Sequence, residues 1–140
     1  MEIRLEVVSW AEKHQELYKI RWTVFVEEQK VPEEVEIDEW EDKSLHVLAY
    51  NAHNLPLGCG RLLPNGKIGR MAVMAHARGY GVGKAILLRL VDEARKEGHR
   101  EIALSAQVHA LSFYEKVGFE AHGPVYQEDG IPHKAMKMLL

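Results

Sequence analysis

The sequence predicts an α/β protein built on a mixed, mostly antiparallel sheet, on three observations. Segments 2–8, 46–50 and 57–62 have strand length and either alternate or run apolar. Residues 82–97 carry apolar positions at helical spacing, with Ile86, Leu87, Leu90, Val91 and Ala94 on one face. The first strands are close enough to pair as a meander, whereas the later strands alternate with helices.

The elements follow in order. Ile3, Leu5 and Val7 alternate with Glu2, Arg4 and Glu6, which predicts a half-buried strand over 2–8. Ser9 is placed to cap a helix running to about Glu28, with Leu17, Ile20, Val24 and Phe25 on its inner face. Pro32 ends that region, and a loop or short helix follows to about Asp42. His46–Tyr50 and Leu57–Leu62 form a predicted hairpin joined near Asn51 to Pro56. Asn65-Gly66 leads into a strand over Ile68–Met74. Helices are expected at about 82–97, closed by Gly98, and at 109–117, on either side of a strand at 101–107. Residues 119–126 and 133–140 make a final antiparallel pair, with Gly130-Ile131-Pro132 fixing the loop of His133.

A length of 140 residues predicts a single domain, 1–140, able to bury about two-thirds of its extended-chain surface. Apolar content of 46% and charged content of 28% fit a soluble globular chain. The acidic, alternating N-terminus does not read as a signal peptide. No apolar run approaches the length of about 20 residues that crosses a bilayer. Cys59 is the single cysteine, which excludes an internal disulfide and fits a reducing cytoplasm. Flanked by Gly58 and Gly60 in an apolar strand, it reads as a packed thiol and not a nucleophile. A net charge of −3 argues against nucleic acid as a partner.

The most informative stretch is Arg78-Gly79-Tyr80-Gly81-Val82-Gly83-Lys84, between the apolar run Met71-Ala72-Val73-Met74 and the helix at 82–97. A strand feeds a glycine turn that opens a helix. Glycines let a ligand approach the backbone, and N–H groups at a helix start attract an anion. A phosphate, most simply a pyrophosphate, suits such a turn. A P-loop would need Gly where Arg78 stands and Ser or Thr where Ala85 stands. A dinucleotide fingerprint would need G-x-G-x-x-G, but the spacing here is G-x-G-x-G, with no carboxylate at the end of the next strand. A purely structural helix entry is the remaining alternative.

Arg78, Gly81 and Gly83 make the pattern Arg-x-x-Gly-x-Gly, which resembles the acetyl-CoA signature of the GNAT superfamily of N-acetyltransferases. A second block agrees with it: Glu101 to Gln107, then Phe113-Tyr114-Glu115-Lys116-Val117-Gly118-Phe119. Arg21 to Gln29, Glu36-Ile37-Asp38, Ala106-Gln107 and Glu128 to His133 further resemble the small bacterial ElaA/YjcF-like subgroup. The resemblance implies a single-domain fold whose two middle strands splay apart. It also implies an acetyl-CoA-dependent N-acetyltransferase acting on a small-molecule amine. No metal is implied, and the histidines show no metal-ligand spacing.

Acetyl transfer to an amine requires that the thioester be placed, its oxyanion stabilised, the amine deprotonated and the thiolate protonated. The resemblance assigns CoA binding to the turn, Arg78, Gly79, Tyr80, Gly81, Val82, Gly83 and Lys84. It adds the backbone of Met71, Ala72 and Val73, together with Gln107 and Phe113. Tyr114 matches the general acid, a phenol being weakly acidic yet close to a thiol in pKa; otherwise it is a core aromatic. Gln107 reads equally as a strand-end cap. Many relatives carry a glutamate on the strand before the turn, where this chain has Lys67, Gly69 and Arg70. A base must come from Glu28, Glu36, Asp38, His46, His109 or His133, or through water.

Nine of the 21 acidic residues fall between Glu27 and Asp42. They form either a solvated loop or an acidic rim that attracts a cationic amine through Glu28 and Asp38. Arg61 and Arg70, on two strands expected to pair, would instead grip an anionic acceptor, and His133 belongs to the same expected substrate site. Three alternatives stand beside direct acetyl transfer: another acyl-CoA, a hydroxyl acceptor, or a CoA-binding sensor without catalysis. A homodimer is compatible with each.

Overall fold

The computed structural model describes the backbone of residues 1–140 and every side chain except that of Val35. Seven strands form one sheet: β1 (Arg4–Val8), β2 (Leu45–Tyr50), β3 (Pro56–Leu62), β4 (Lys67–Val73), β5 (Glu101–Gln107), β6 (Glu120–Glu128) and β7 (Ile131–Leu139). Their order is β1-β2-β3-β4-β5-β7-β6. Every neighbouring pair is antiparallel except β4 and β5. Helices α1 (Trp10–Arg21), α2 (Val82–Lys96) and the short α3 (Leu111–Glu115) flank the sheet.

The two faces of the sheet bury different residues. Under α2, Val47, Leu57, Ile68, Ile102, Leu104 and Met136 pack against Ile86, Leu87 and Leu90. Under α1, Val8, Leu48, Cys59 and Ala72 pack against Leu17, Ile20 and Val24. Gly60 makes the first contact possible. A Cβ there would lie 2.7 Å from Leu90 and from the Met71 sulfur, so α2 could not approach β3 so closely.

Helix α1 begins as expected. The Ser9 hydroxyl accepts from the Glu12 N–H while Glu12 accepts from the Ser9 N–H, a reciprocal cap. It does not remain α-helical to Glu28. From Trp22 to Glu28 the chain winds as a wider π-helix, with the Gln29 N–H bonded to the Val24 carbonyl. The wider turn keeps Val24 in the core while Glu28 and Gln29 line a cleft. In β1, Val7 is 40% exposed, against the simple alternation, and Val8 is buried. β1 is an edge strand and α2 packs over β2, β3 and β4, so the far end of that face is uncovered.

The segment expected as one helix over 109–117 is a 3-10 turn at 108–110 followed by α3. The last hairpin is longer than expected. Asp129 and Gly130 both have positive φ and form a two-residue turn that pairs Glu128 with Ile131. His133 lies in β7, as the strand expected over 133–140 has it, and Ile131 and Pro132, expected as loop, belong to the same strand.

Two irregularities open the sheet at its centre. β4 and β5 pair only at Lys67 with Ala103 and at Ile68 with Leu104, and then part. At the same level Arg70 and Met71 lie opposite Gly60, a bulge in which Arg70 has φ 51°. The expected splay is present.

Candidate functional site

Where β4 and β5 part, a cleft of about 730 Å³ runs between them. The end of the π-helix forms one wall, and the β6–β7 hairpin contributes the opposite rim. Gly83, Phe113 and Tyr114 line it toward α2; Arg61, Lys67 and Arg70 line the far end.

The glycine turn meets the cleft at the start of α2. Gly81 is the residue before the helix, at φ 85°, and supplies no side-chain cap. The first-turn N–H groups have no intrahelical partner in such a helix. No acidic residue stands in that turn to repel an anion. A Cβ on Gly79 or Gly81 would meet nothing within 4 Å, so these glycines face open space and are explained by backbone conformation. The geometry fits a pyrophosphate. Not every residue of the turn faces the cleft: Gly83 does, Val82 is buried in the core, and Tyr80 points outward at 57% exposure.

Met71 and Val73 turn their side chains into the α2-side core, while Ala72 packs on the opposite face. Beyond Ile68 the β5-facing edge of β4 has lost its partner strand, so backbone at 71–73 borders the cleft. One of its groups is already engaged: the Val73 carbonyl accepts from Arg78 Nε at 3.0 Å. The Arg78 guanidinium also forms a two-pronged pair with Glu28. Arg78 thus ties the π-helix to the end of β4, and Glu28, expected at the acceptor, is bound to it.

Tyr114 lines the cleft, its ring edge-on to Phe113 and Phe119. Burial pushes its phenol up to about 12. Gln107 donates from its amide nitrogen to Gln29, and its oxygen pairs with His109. It bridges β5 to the opposite wall and does not cap its strand end.

The acidic segment divides: Glu27, Glu28, Glu33, Glu34, Glu39 and Asp42 are exposed, as in a solvated loop, whereas Glu36, Asp38 and Glu41 are bound by arginines. Arg21 is buried and bonds Glu36 at 2.5 Å and Glu41 at 2.5 and 3.0 Å. Burial works against the Arg21 charge, but Glu41 and Glu36 more than offset it and hold the guanidinium protonated. Arg61 reaches Glu41 at 3.1 Å and Asp38 at 2.9 and 3.1 Å. Arg70 reaches Asp38 at 3.3 Å and the Glu36 carbonyl at 3.1 Å. Burial raises Asp38 and Glu41, but their arginines outweigh it and hold both below the usual carboxylate range. The two opposed expectations, acidic attraction and arginine grip, therefore meet in one lattice of alternating charge. Sequence reading named Arg61, Arg70 and Asp38 but missed Arg21 and Glu41 as their partners. Only the pairing of α1 with the 36–41 segment brings them together.

His46, one of the residues considered as a base, is buried behind this lattice with Nε2 at 2.9 Å from the Glu41 carbonyl. Burial pushes its pKa down. It does not line the cleft. Cys59 is buried, and loss of solvation raises its thiol to about 12, so it is not nucleophilic. Among the described residues, no three His, Cys, Asp or Glu side chains are grouped to hold a metal ion. No helix among them is long and apolar enough to cross a membrane.

Comparison with known proteins agrees with this geometry. Residues 11–140 match the family model described as an acetyltransferase (GNAT) domain. The uncharacterized N-acetyltransferase YjcF of Bacillus subtilis is 36% identical over 129 residues, covering 89% of this chain and 91% of that protein. An acyl-CoA N-acyltransferase crystal structure from Pseudomonas aeruginosa superposes with a TM-score of 0.86 at 31% identity, covering 98% and 99% of the two chains. The Escherichia coli ElaA crystal structure superposes with a TM-score of 0.85 at 27% identity, covering 97% and 99%.

Proposed function

This chain belongs to the GNAT acetyltransferase family, and we propose that it moves an acetyl group from acetyl-CoA directly to the amine of a small molecule. The observation that carries the proposal is a continuity. The uncapped glycine start of α2 opens onto the cleft made by the parting of β4 and β5, and Tyr114 stands on that cleft.

In this reading the N–H groups of residues 79–84 hold the pyrophosphate through the helix dipole and direct hydrogen bonds. Lys84 adds a positive charge in the same turn. The freed edge of Met71, Ala72 and Val73 pairs with the pantetheine arm, and Gln107 and Phe113 border that arm. Tyr114, kept protonated by burial, gives its proton to sulfur as the thiolate leaves. Arg70, Asp38, Arg61 and His133 border the acceptor, with Glu28 acting through Arg78. The lattice is balanced in charge, which favours an acceptor that carries both an amine and polar or anionic groups. Such a protein would work in a reducing cytoplasm, alone or as a homodimer, with neither nucleic acid nor membrane as a partner.

A second reading has one observation in its favour: β4 offers Lys67, Gly69 and Arg70 where a carboxylate base would stand. A CoA-binding sensor without catalysis needs no base. Thiol release from acetyl-CoA, followed across a panel of primary amines, tests the two. Amine-dependent release is the expected result. CoA binding without release for any amine would overturn the transferase. Faster release from longer acyl-CoA thioesters, or with alcohols, would move the reading to another acyltransferase.

A further inference from the structure

We propose that His133 is the general base that takes the proton from the acceptor amine, an inference that rests on the transferase reading above. His133 is a strand residue. In β5, Ile102, Leu104 and Ala106 face the core, which turns Ser105 and Gln107 to the opposite face. Their register partners in β7 are Ala135 and His133, so His133 shares that face with Gln107 beside the cleft.

Its ring is held from three sides. Nδ1 lies 2.7 Å from the Ile131 carbonyl. A carbonyl only accepts, so Nδ1 donates to it, and in the neutral ring the lone pair is on Nε2. Tyr126, its register partner in β6, stacks on the ring with centroids 6.1 Å apart and planes 24° apart. The Tyr126 hydroxyl is in turn bonded to Ser105 Oγ. Glu128 places a carboxylate oxygen 3.4 Å from Nε2 and is itself 48% exposed. The geometry thus leaves Nε2 as the accepting atom of the unprotonated ring, with a counter-charge beside it and a route from there to water.

The other candidates are engaged. Glu28 is bound by Arg78, and Asp38 by Arg61 and Arg70. Glu36 bonds Arg21 through one oxygen, and its other oxygen is sealed from solvent. His46 does not reach the cleft, and His109 is exposed and bonded to Gln107. The charged and titratable groups around His133 are Glu128 and Tyr126 on β6 and Asp129 in the turn. Lys67, Arg70 and Asp38 line the same cleft.

The acceptor enters as an ammonium, and His133 Nε2 takes one proton to leave the nitrogen lone pair free. That lone pair forms the C–N bond to the thioester carbonyl carbon. Collapse of the tetrahedral intermediate breaks the C–S bond, and the sulfur leaves with the electron pair and takes the Tyr114 proton. The second nitrogen proton returns to Tyr114 through solvent, and His133 passes its own past Glu128 to water. One amide, one thiol and one net proton result.

The test uses His133→Asn, whose amide N–H can still donate to the Ile131 carbonyl while offering no base. With the fold verified by thermal unfolding, kcat/KM for an alkyl amine should fall by about 10²–10⁴. The acetyl-CoA dissociation constant should stay within about twofold of the parent. The parent's kcat/KM should rise with pH through an imidazole ionisation that the variant lacks. The defect should shrink for an aromatic amine, which is already unprotonated at neutral pH. A variant that keeps parental kcat/KM, or an equal defect for both amines, overturns the assignment. Nitrogen NMR of the parent ring gives a check independent of turnover: Nδ1 should be protonated at neutral pH, and an Nε2–H tautomer overturns the proposal. A parent enzyme that binds CoA but acetylates no amine sinks the transferase reading and this role together; an active parent whose variant keeps its activity, or loses it equally for both amines, sinks this role alone.

Discussion

Arg78, in the lead-in to α2, and Glu28, at the end of the π-helix, are 50 residues apart in sequence and joined by two hydrogen bonds of 2.7 and 2.8 Å. The pair closes one side of the cleft, because Arg78 also holds the Val73 carbonyl at the end of β4. Both side chains are close to half exposed, so the pair itself stabilises little, about 0.2–1 kcal/mol after screening. Its effect is on the position of the glycine turn. Arg78→Ala should unfold within about 1 kcal/mol of the parent yet bind CoA more weakly by about 1–3 kcal/mol. Calorimetric titration at low salt checks this, and an unchanged dissociation constant would remove Arg78 from the site.

Gly81 and Gly83 separate backbone conformation from ligand approach. At Gly81 a side chain meets nothing, but φ 85° is a conformation that L residues rarely adopt. Gly81→Asp should weaken CoA binding by several kcal/mol, since its carboxylate would stand at the helix start where the phosphates are proposed to bind. Gly83 is helical, and its Cβ would touch Phe113 and Val73 at an ordinary 3.5 Å. Gly83→Ala should therefore stabilise the fold by about 0.5–1 kcal/mol while crowding the cofactor. Equal CoA affinity in both variants and the parent would place the pyrophosphate elsewhere.

Tyr114→Phe keeps the edge-on packing with Phe113 and Phe119 and removes only the hydroxyl. As the proposed acid it meets sulfur only as charge develops there, so turnover should fall by about 10²–10⁴ with CoA affinity nearly unchanged. Turnover within about threefold of the parent would return Tyr114 to the core, unless a pre-steady-state burst in the parent shows that release limits the rate.

The Arg21 lattice should govern stability and its response to acid. Arg21→Ala leaves the buried Glu36 and Glu41 without their shared cation and should destabilise by about 3–5 kcal/mol in denaturant unfolding. Asp38 and Glu41 titrate below their unfolded values, near 4. Their contribution is thus complete above that pH and is lost as pH falls toward the depressed folded values. Glu41→Gln should flatten this acid limb; a parent whose stability does not change between pH 5 and pH 3, taken as a window of about two units around the unfolded pKa, would contradict the lattice.

Local patterns in the sequence determine much of this protein. Ile86, Leu87, Leu90, Val91 and Ala94 mark the buried face of α2. Asn65-Gly66 and Gly98 mark turns, and both glycines have positive φ. Three glycines beside a strand mark the phosphate-like helix start, because conformational freedom and uncapped N–H groups are properties of a few adjacent residues. The tertiary structure decides the rest. Whether Glu36 and Glu41 are solvent-facing or buried depends on Arg21, which lies 15 and 20 residues away and meets them only when α1 packs on the sheet. Whether Ile131 and Pro132 lie in a loop or a strand depends on the Asp129-Gly130 turn, and the His133 tautomer depends on the Ile131 carbonyl. The parting of β4 and β5 depends on where two distant strands stop pairing. Charge pairing, burial and strand register are set by contacts between segments far apart in the chain, and local spacing carries no record of them.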